Sequence, residues 1–177
     1  YLGFASVIVM WGWHELSFLS GWMTGPRRMA MTPEAQGWRR LREALASILW
    51  HEILLLVNLV VLIWMQADHP NHLALYTFAL LWCMRLSAKL NLFFGVRNLG
   101  SEFLPGHLDY LQTYFLRRPI NPLLPFSILV PAAAAGWVWH AALAATDLAQ
   151  GASLSIIGTL LGLAALEHVF MLLPLST

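Results

Sequence analysis

The chain has 177 residues, 59% of them hydrophobic and 11% charged, with a net charge of +1. An ordinary soluble domain carries roughly 25% charged residues, so the composition excludes a water-covered globular enzyme as the starting point, and the small net charge excludes a field that would recruit nucleic acid. The single cysteine, Cys83, excludes an intramolecular disulfide and a cysteine-based metal site.

A membrane-crossing helix needs about 20 mostly apolar residues. Five windows meet that need: Tyr1 to Met23, Ala44 to Gln66, Leu73 to Phe94, Leu124 to Thr146 and Ser153 to Leu173. Gly25-Pro26, Pro70, Pro119, Pro122, Pro125 and Gly151 punctuate the gaps. Alternating short strands are absent from the pattern, so the expected fold class is an all-α polytopic membrane helix bundle, a single helical domain over residues 1–177. The first residue is Tyr1, with no basic leader region, and the expectation is an internal piece lacking an N-terminal part of unknown length.

Charge orients the predicted spans. Arg27, Arg28, Arg39, Arg40 and Arg42 lie between the first two, and Arg97, Arg117 and Arg118 between the third and fourth. The other two connections carry no lysine or arginine. Lysine and arginine concentrate in cytoplasmic loops, so both arginine-bearing loops are expected there, in a multi-pass protein. Each of these loops also has an amphipathic stretch, Trp38, Leu41 and Leu45 after Pro33, and Leu108, Leu111 and Phe115 after Pro105. Such stretches are expected either in the headgroup layer or as continuations of the neighbouring helices.

Polar groups inside the spans are the candidate site. Glu15, Glu52, Arg85, Lys89 and Glu167 fall where hydropathy implies hydrocarbon, accompanied by His14, His51, His168 and Asn91. Each charge costs about 2.5–3.5 kcal/mol or more at a span centre, so such groups face the bundle interior and pair. With the orientation above, all lie in the cytoplasmic half at one level. Arg85 and Lys89 share a helix face, and the three glutamates are their expected partners. The cluster is open to four readings: an ion-pair network, a His/Glu metal site, a proton or substrate pathway, or a cofactor pocket. No HExxH motif supports metallohydrolase chemistry. Ser17, Thr24 and Ser87 have no recognisable base partner, which disfavours an enzyme.

His140 is different, set among Trp137, Trp139, Ala141 and Ala142 with no charge nearby. A small residue four before a histidine leaves room for a macrocycle over the helix. Gly136 precedes His140 in this way, Ala164 precedes His168, and Ser47 precedes His51. The spacing resembles pigment-binding helices of bacterial antenna polypeptides and makes His140 and His168 candidate ligands of a bacteriochlorophyll or related tetrapyrrole. Gly158 and Gly162 form a GxxxG pair suited to close helix approach.

Two stretches carry a family resemblance. One is Trp11-Gly12-Trp13-His14-Glu15-Leu16-Ser17-Phe18-Leu19 followed by Gly25-Pro26-Arg27-Arg28. The other runs from Trp82 to Asn98 and contains Met84-Arg85-Leu86-Ser87-Ala88-Lys89-Leu90-Asn91 and Gly95-Val96-Arg97-Asn98. With Asn121-Pro122-Leu123 and Glu167-His168, they resemble the PuhE-type photosynthetic complex assembly proteins of purple bacteria. The resemblance implies an accessory factor of the photosynthetic reaction centre and light-harvesting 1 complex, in the intracytoplasmic membrane, with the membrane subunits of that complex as partners. It implies no catalytic residue. The rival expectations are a membrane enzyme of pigment or quinone metabolism with a His/Glu metal site, and a small-molecule or proton-coupled transporter.

Overall fold

The computed structural model describes residues 1–173. Five long helices follow in order, α1 (Leu2–Leu19), α2 (Gly37–Gln66), α3 (Leu73–Phe94), α4 (Leu124–Ala144) and α5 (Leu148–Phe170). All five are long and apolar enough to cross a membrane. The described residues contain no strand, only an isolated bridge between Val96 and Arg117. The expected all-α, multi-pass architecture is the one observed.

Helix boundaries shift for local reasons. α1 stops at Leu19, before Gly21 at φ +77°. α2 starts at Gly37 instead of Ala44, and its 30 residues rise about 45 Å at 1.5 Å each, against a hydrocarbon core of about 30 Å. Its first two turns, with Arg39, Arg40 and Arg42, therefore stand outside the apolar span that begins at Ala44. α5 starts at Leu148 instead of Ser153, because Asp147 Oδ2 accepts the Gln150 N–H at 2.9 Å and supplies an N-cap. Gly151 then lies inside the helix it was expected to precede.

The chain groups into two compact units. The first comprises Tyr1–Phe78 and Gly100–Leu116. Here the stretch after Pro105 is not a headgroup-bound helix but a 3-10 helix, Gly106–Tyr114. Its Leu108, Leu111 and Tyr114 are buried with Phe18 of α1, with Met31 and Ile48 packed around them. Protein, rather than lipid, covers the apolar face that the sequence pattern reveals. The Thr24–Arg27 segment lies directly on the α2 backbone: the Arg27 N–H donates to Ala46 O at 3.2 Å and the His51 N–H donates to Thr24 O at 3.0 Å. A Cβ at Gly25 would collide with Ala46 O and stand 2.6 Å from Ser47 C, so only glycine permits this approach.

The second unit comprises Ala79–Leu99 and the chain from Arg117 onward. α4 and α5 pack along each other, with Trp139 against Gly158. α3 ends where Gly95 takes φ +111°, a conformation that disfavours any side chain, and donates its N–H to Asn91 O. Asn98 then closes the other end of the unit, its N–H donating to Met171 O at 3.1 Å and its Nδ2 to Phe170 O at 3.3 Å. Val130, Trp137, Leu143 and Leu163 remain outward and exposed, as expected of surfaces that face lipid.

Candidate functional site

In the second unit, polar side chains from α3, α4, α5 and the turn before α4 form one connected network. Asn121 is its base. Its Oδ1 accepts the Leu123 and Leu124 N–H groups at 2.9 and 3.1 Å, an Asx-type turn that starts α4. Its Nδ2 donates to Gly95 O at 2.9 Å and to Asn91 Oδ1 at 3.1 Å. Asn91 Nδ2 in turn donates to Ser87 O at 3.0 Å and to Ser127 Oγ at 2.9 Å. Ser127 Oγ lies 2.9 Å from Ser87 Oγ, which lies 3.0 Å from His168 Nε2. Asn91, Asn121, Ser127 and His168 are all buried.

The network's proton arrangement follows from its ends. His168 Nδ1 is 2.8 Å from Ala164 O, and a carbonyl only accepts, so Nδ1 carries a proton. In the neutral imidazole, Nε2 then accepts from the Ser87 hydroxyl, and the Ser127 hydroxyl donates to Ser87 or to Leu123 O, 3.2 Å away. In the imidazolium both ring nitrogens donate. Ser87 then turns its hydrogen to Ser127, and Ser127 turns to Leu123 O. Two hydroxyl rotations interconvert the two patterns: the imidazolium pattern fills all three contacts, and the neutral one leaves either Ser87–Ser127 or Ser127–Leu123 O without a hydrogen. The arrangement locks three helices together and is chemically able to carry a proton.

Beside this network, Arg85 Nη1 and Glu167 Oε1 form an ion pair at 3.6 Å with both side chains partly exposed. The expected pairing of Arg85 with a glutamate is thus present, and the partner is Glu167. Lys89 is half-buried on the same helix. Ser87, set aside in the sequence for want of a base, is hydrogen-bonded to His168; that reading is corrected. Ser127 and Asn121 were missed as members. The usable signal for Asn121 was its place in the Asn121-Pro122 turn just ahead of the fourth span; Ser127 carried none.

The remaining cluster residues belong to the first unit. His14 is fully buried in α1, its ring 5.1 Å from that of Trp13 and 6.4 Å from that of Phe78, with no hydrogen-bond partner for either nitrogen among the described residues. His51 is fully buried in α2 with the Phe18 ring 4.8 Å away. Glu15 and Glu52 are half-buried beside them in sequence. Among the described residues, no three histidine, cysteine, aspartate or glutamate side chains converge as a metal ion would need. His140 is exposed on α4, and a side chain at Gly136, one turn back, would meet open space.

A second polar centre in the first unit was not anticipated. Glu43, in the part of α2 outside the apolar span, accepts from Thr32 N–H at 2.9 Å, Thr32 Oγ1 at 2.8 Å and Arg39 Nε at 3.1 Å, and pairs with Arg27 Nη2 at 3.0 Å. The Thr32 amide above all, then the Thr32 hydroxyl, Arg39 and the Arg27 charge, hold its carboxyl down to about 2 against the opposing effect of burial. Arg27 Nε also donates to Tyr114 OH at 2.9 Å, and Arg40 Nη2 donates to Tyr114 O at 2.8 Å. These loop arginines are therefore engaged with protein.

Comparison with known proteins places this geometry in a family. The profile of the family described as protein of unknown function, DUF3623, matches residues 1–177. The chain belongs to the DUF3623 family. A relative from Rhodobacter capsulatus, described as an uncharacterized 30.4 kDa protein in the puhA 5′ region, is 42% identical over 179 residues. That alignment covers 99% of this chain and 64% of the relative, so the chain spans about two thirds of the relative's length. No solved structure matches.

Proposed function

We propose that this protein is an accessory factor in assembly of the photosynthetic reaction centre and light-harvesting 1 complex, binding its membrane subunits. The observation that carries the reading is the relative in the puhA 5′ region of Rhodobacter capsulatus, 42% identical across nearly the whole chain. The Trp11–Leu19 and Trp82–Asn98 resemblance points to the same gene context. Two structural features support it. The buried Asn91, Asn121 and Ser127 of the second unit are hydrogen-bonded to one another, as suits a rigid scaffold, and the outward faces of α4 and α5 are apolar and open to neighbouring helices. Within this reading His140, exposed above the open space at Gly136, is the residue placed to ligate a tetrapyrrole from a partner or from the membrane. His168 is fully buried with both ring nitrogens hydrogen-bonded, which favours His140 over it.

The test is purification in mild detergent from photosynthetically grown cells. Co-purifying reaction-centre and light-harvesting 1 subunits are expected, together with loss of assembled complex in a deletion strain. Normal complex levels in that strain would refute the reading. The reversible Ser87–Ser127–His168 hydroxyl chain favours a second reading, a proton-coupled transporter. Proton uptake into proteoliposomes that disappears in His168→Phe would establish it in place of the first.

A further inference from the structure

We propose that Arg97, Arg117 and Arg118 form a binding site for the phosphodiester of an anionic phospholipid, at the membrane boundary of the second unit. The three are brought together by backbone. Val96 bridges to Arg117 in parallel, and the Arg118 N–H donates to Val96 O at 3.1 Å, so residues far apart in sequence sit on paired extended segments about 4.8 Å apart. The buried network holds this bridge in place. Asn121 ties Gly95 to the start of α4, and Asn98 ties the same segment to the end of α5. The Arg118 stem lies over Gly95, where an added Cβ would stand 2.8 Å from Arg118 Cγ. This contact fixes the direction from which its guanidinium leaves the chain.

All three side chains are exposed, and among the described residues no carboxylate pairs with any of them. In the first unit, by contrast, Glu43 pairs with both Arg27 and Arg39. Three arginines without a carboxylate partner on one short backbone frame favour an anionic ligand, and arginine's planar fork matches phosphate oxygens two at a time. The surroundings identify the source of the phosphate. The cations stand just past the end of α3 and just ahead of α4, where two apolar spans give way to polar chain. Phe94 and Ile120, 43% and 54% exposed, flank them with apolar surface. A ligand with a phosphate head and acyl chains satisfies both features, whereas a free phosphate satisfies only the first. The site stands on the second unit alone and does not rest on the assembly role.

Native mass spectrometry of the detergent-purified protein, titrated with phosphatidylglycerol, cardiolipin or phosphatidylcholine, tests it. Wild type is expected to bind the anionic lipids more tightly than phosphatidylcholine. Each basic group near a membrane surface contributes about a fivefold factor, so Arg117→Gln is expected to weaken phosphatidylglycerol binding about fivefold and the triple glutamine variant about a hundredfold. Arg97→Lys, Arg117→Lys and Arg118→Lys together keep the charge and are expected to keep most of the preference, which separates lipid binding from loss of fold. Equal affinity for phosphatidylglycerol and phosphatidylcholine in wild type, an unchanged preference in the triple glutamine variant, or full displacement of lipid by millimolar inorganic phosphate would overturn the proposal.

Discussion

Asn121→Ala is the most informative single perturbation of the second unit. The side chain is 2% exposed and makes four short hydrogen bonds, to Leu123 N, Leu124 N, Gly95 O and Asn91 Oδ1, at 2.9–3.1 Å. A net hydrogen bond contributes about 0.5–1.5 kcal/mol in soluble proteins, and interhelical ones in membranes average about 0.6 kcal/mol. The four together give about 2–4 kcal/mol, and burial keeps water from replacing them. The assay is reversible unfolding in mixed detergent micelles, followed by tryptophan fluorescence. Asn58→Ala is the internal control, because Asn58 Nδ2 donates only to Leu54 O of its own helix at 3.1 Å; it is expected to cost under about 0.5 kcal/mol. Asn121→Ala and Asn91→Ala combined are expected to be non-additive, since they share a bond. If Asn121→Ala costs no more than Asn58→Ala, or if the double variant is strictly additive, the network does not hold these helices together.

Further outcomes follow from other parts of the molecule. Reporters placed between Arg27 and Arg39 and between Asp68 and Asn71 are expected on opposite sides of the membrane, the first cytoplasmic; the reverse at both sites would overturn the arginine-based orientation. Gly158→Leu is expected to weaken α4–α5 packing by about 1–3 kcal/mol, because a Cβ there stands 2.7 Å from Trp139 Cδ1, whereas Gly162→Leu, facing open space, is expected to be tolerated in the same unfolding assay. Glu43 titrates lower in the folded protein than its ordinary 4.5, so its stabilising contribution is complete above about pH 4.5 and is lost as pH falls toward about 2. Glu43→Gln is expected to lower stability at neutral pH and to flatten that acid-side decline; an unchanged pH profile would show that the Thr32 and arginine contacts do not form in solution. In pigment-containing preparations His140→Leu is expected to abolish bound tetrapyrrole, and retention of the pigment by that variant would exclude His140 as its ligand.

Composition alone determined that the chain crosses a membrane as helices, because a hydrocarbon solvent imposes a local requirement, about 20 apolar residues with all backbone bonds satisfied within the segment. The cost of unpaired charge in the same solvent made it legible that Arg85 pairs with a glutamate, and the structure chose Glu167 among three candidates. The rest depended on contacts between residues remote in sequence. Ser87, Ser127 and Asn121 carry no charge, so nothing in composition flags them, and the Ser87–His168 bond joins positions 81 residues apart. Leu108 and Leu111 have the same amphipathic pattern whether lipid or Phe18 covers them, and only the tertiary structure decided for Phe18. The loop arginines read in sequence as one class, a charge bias at a membrane face. The fold divides them by supplying Glu43 to Arg27 and Arg39 and no described carboxylate to Arg97, Arg117 and Arg118. Pairing depends on distance through space, which the order of residues along the chain does not encode one position at a time.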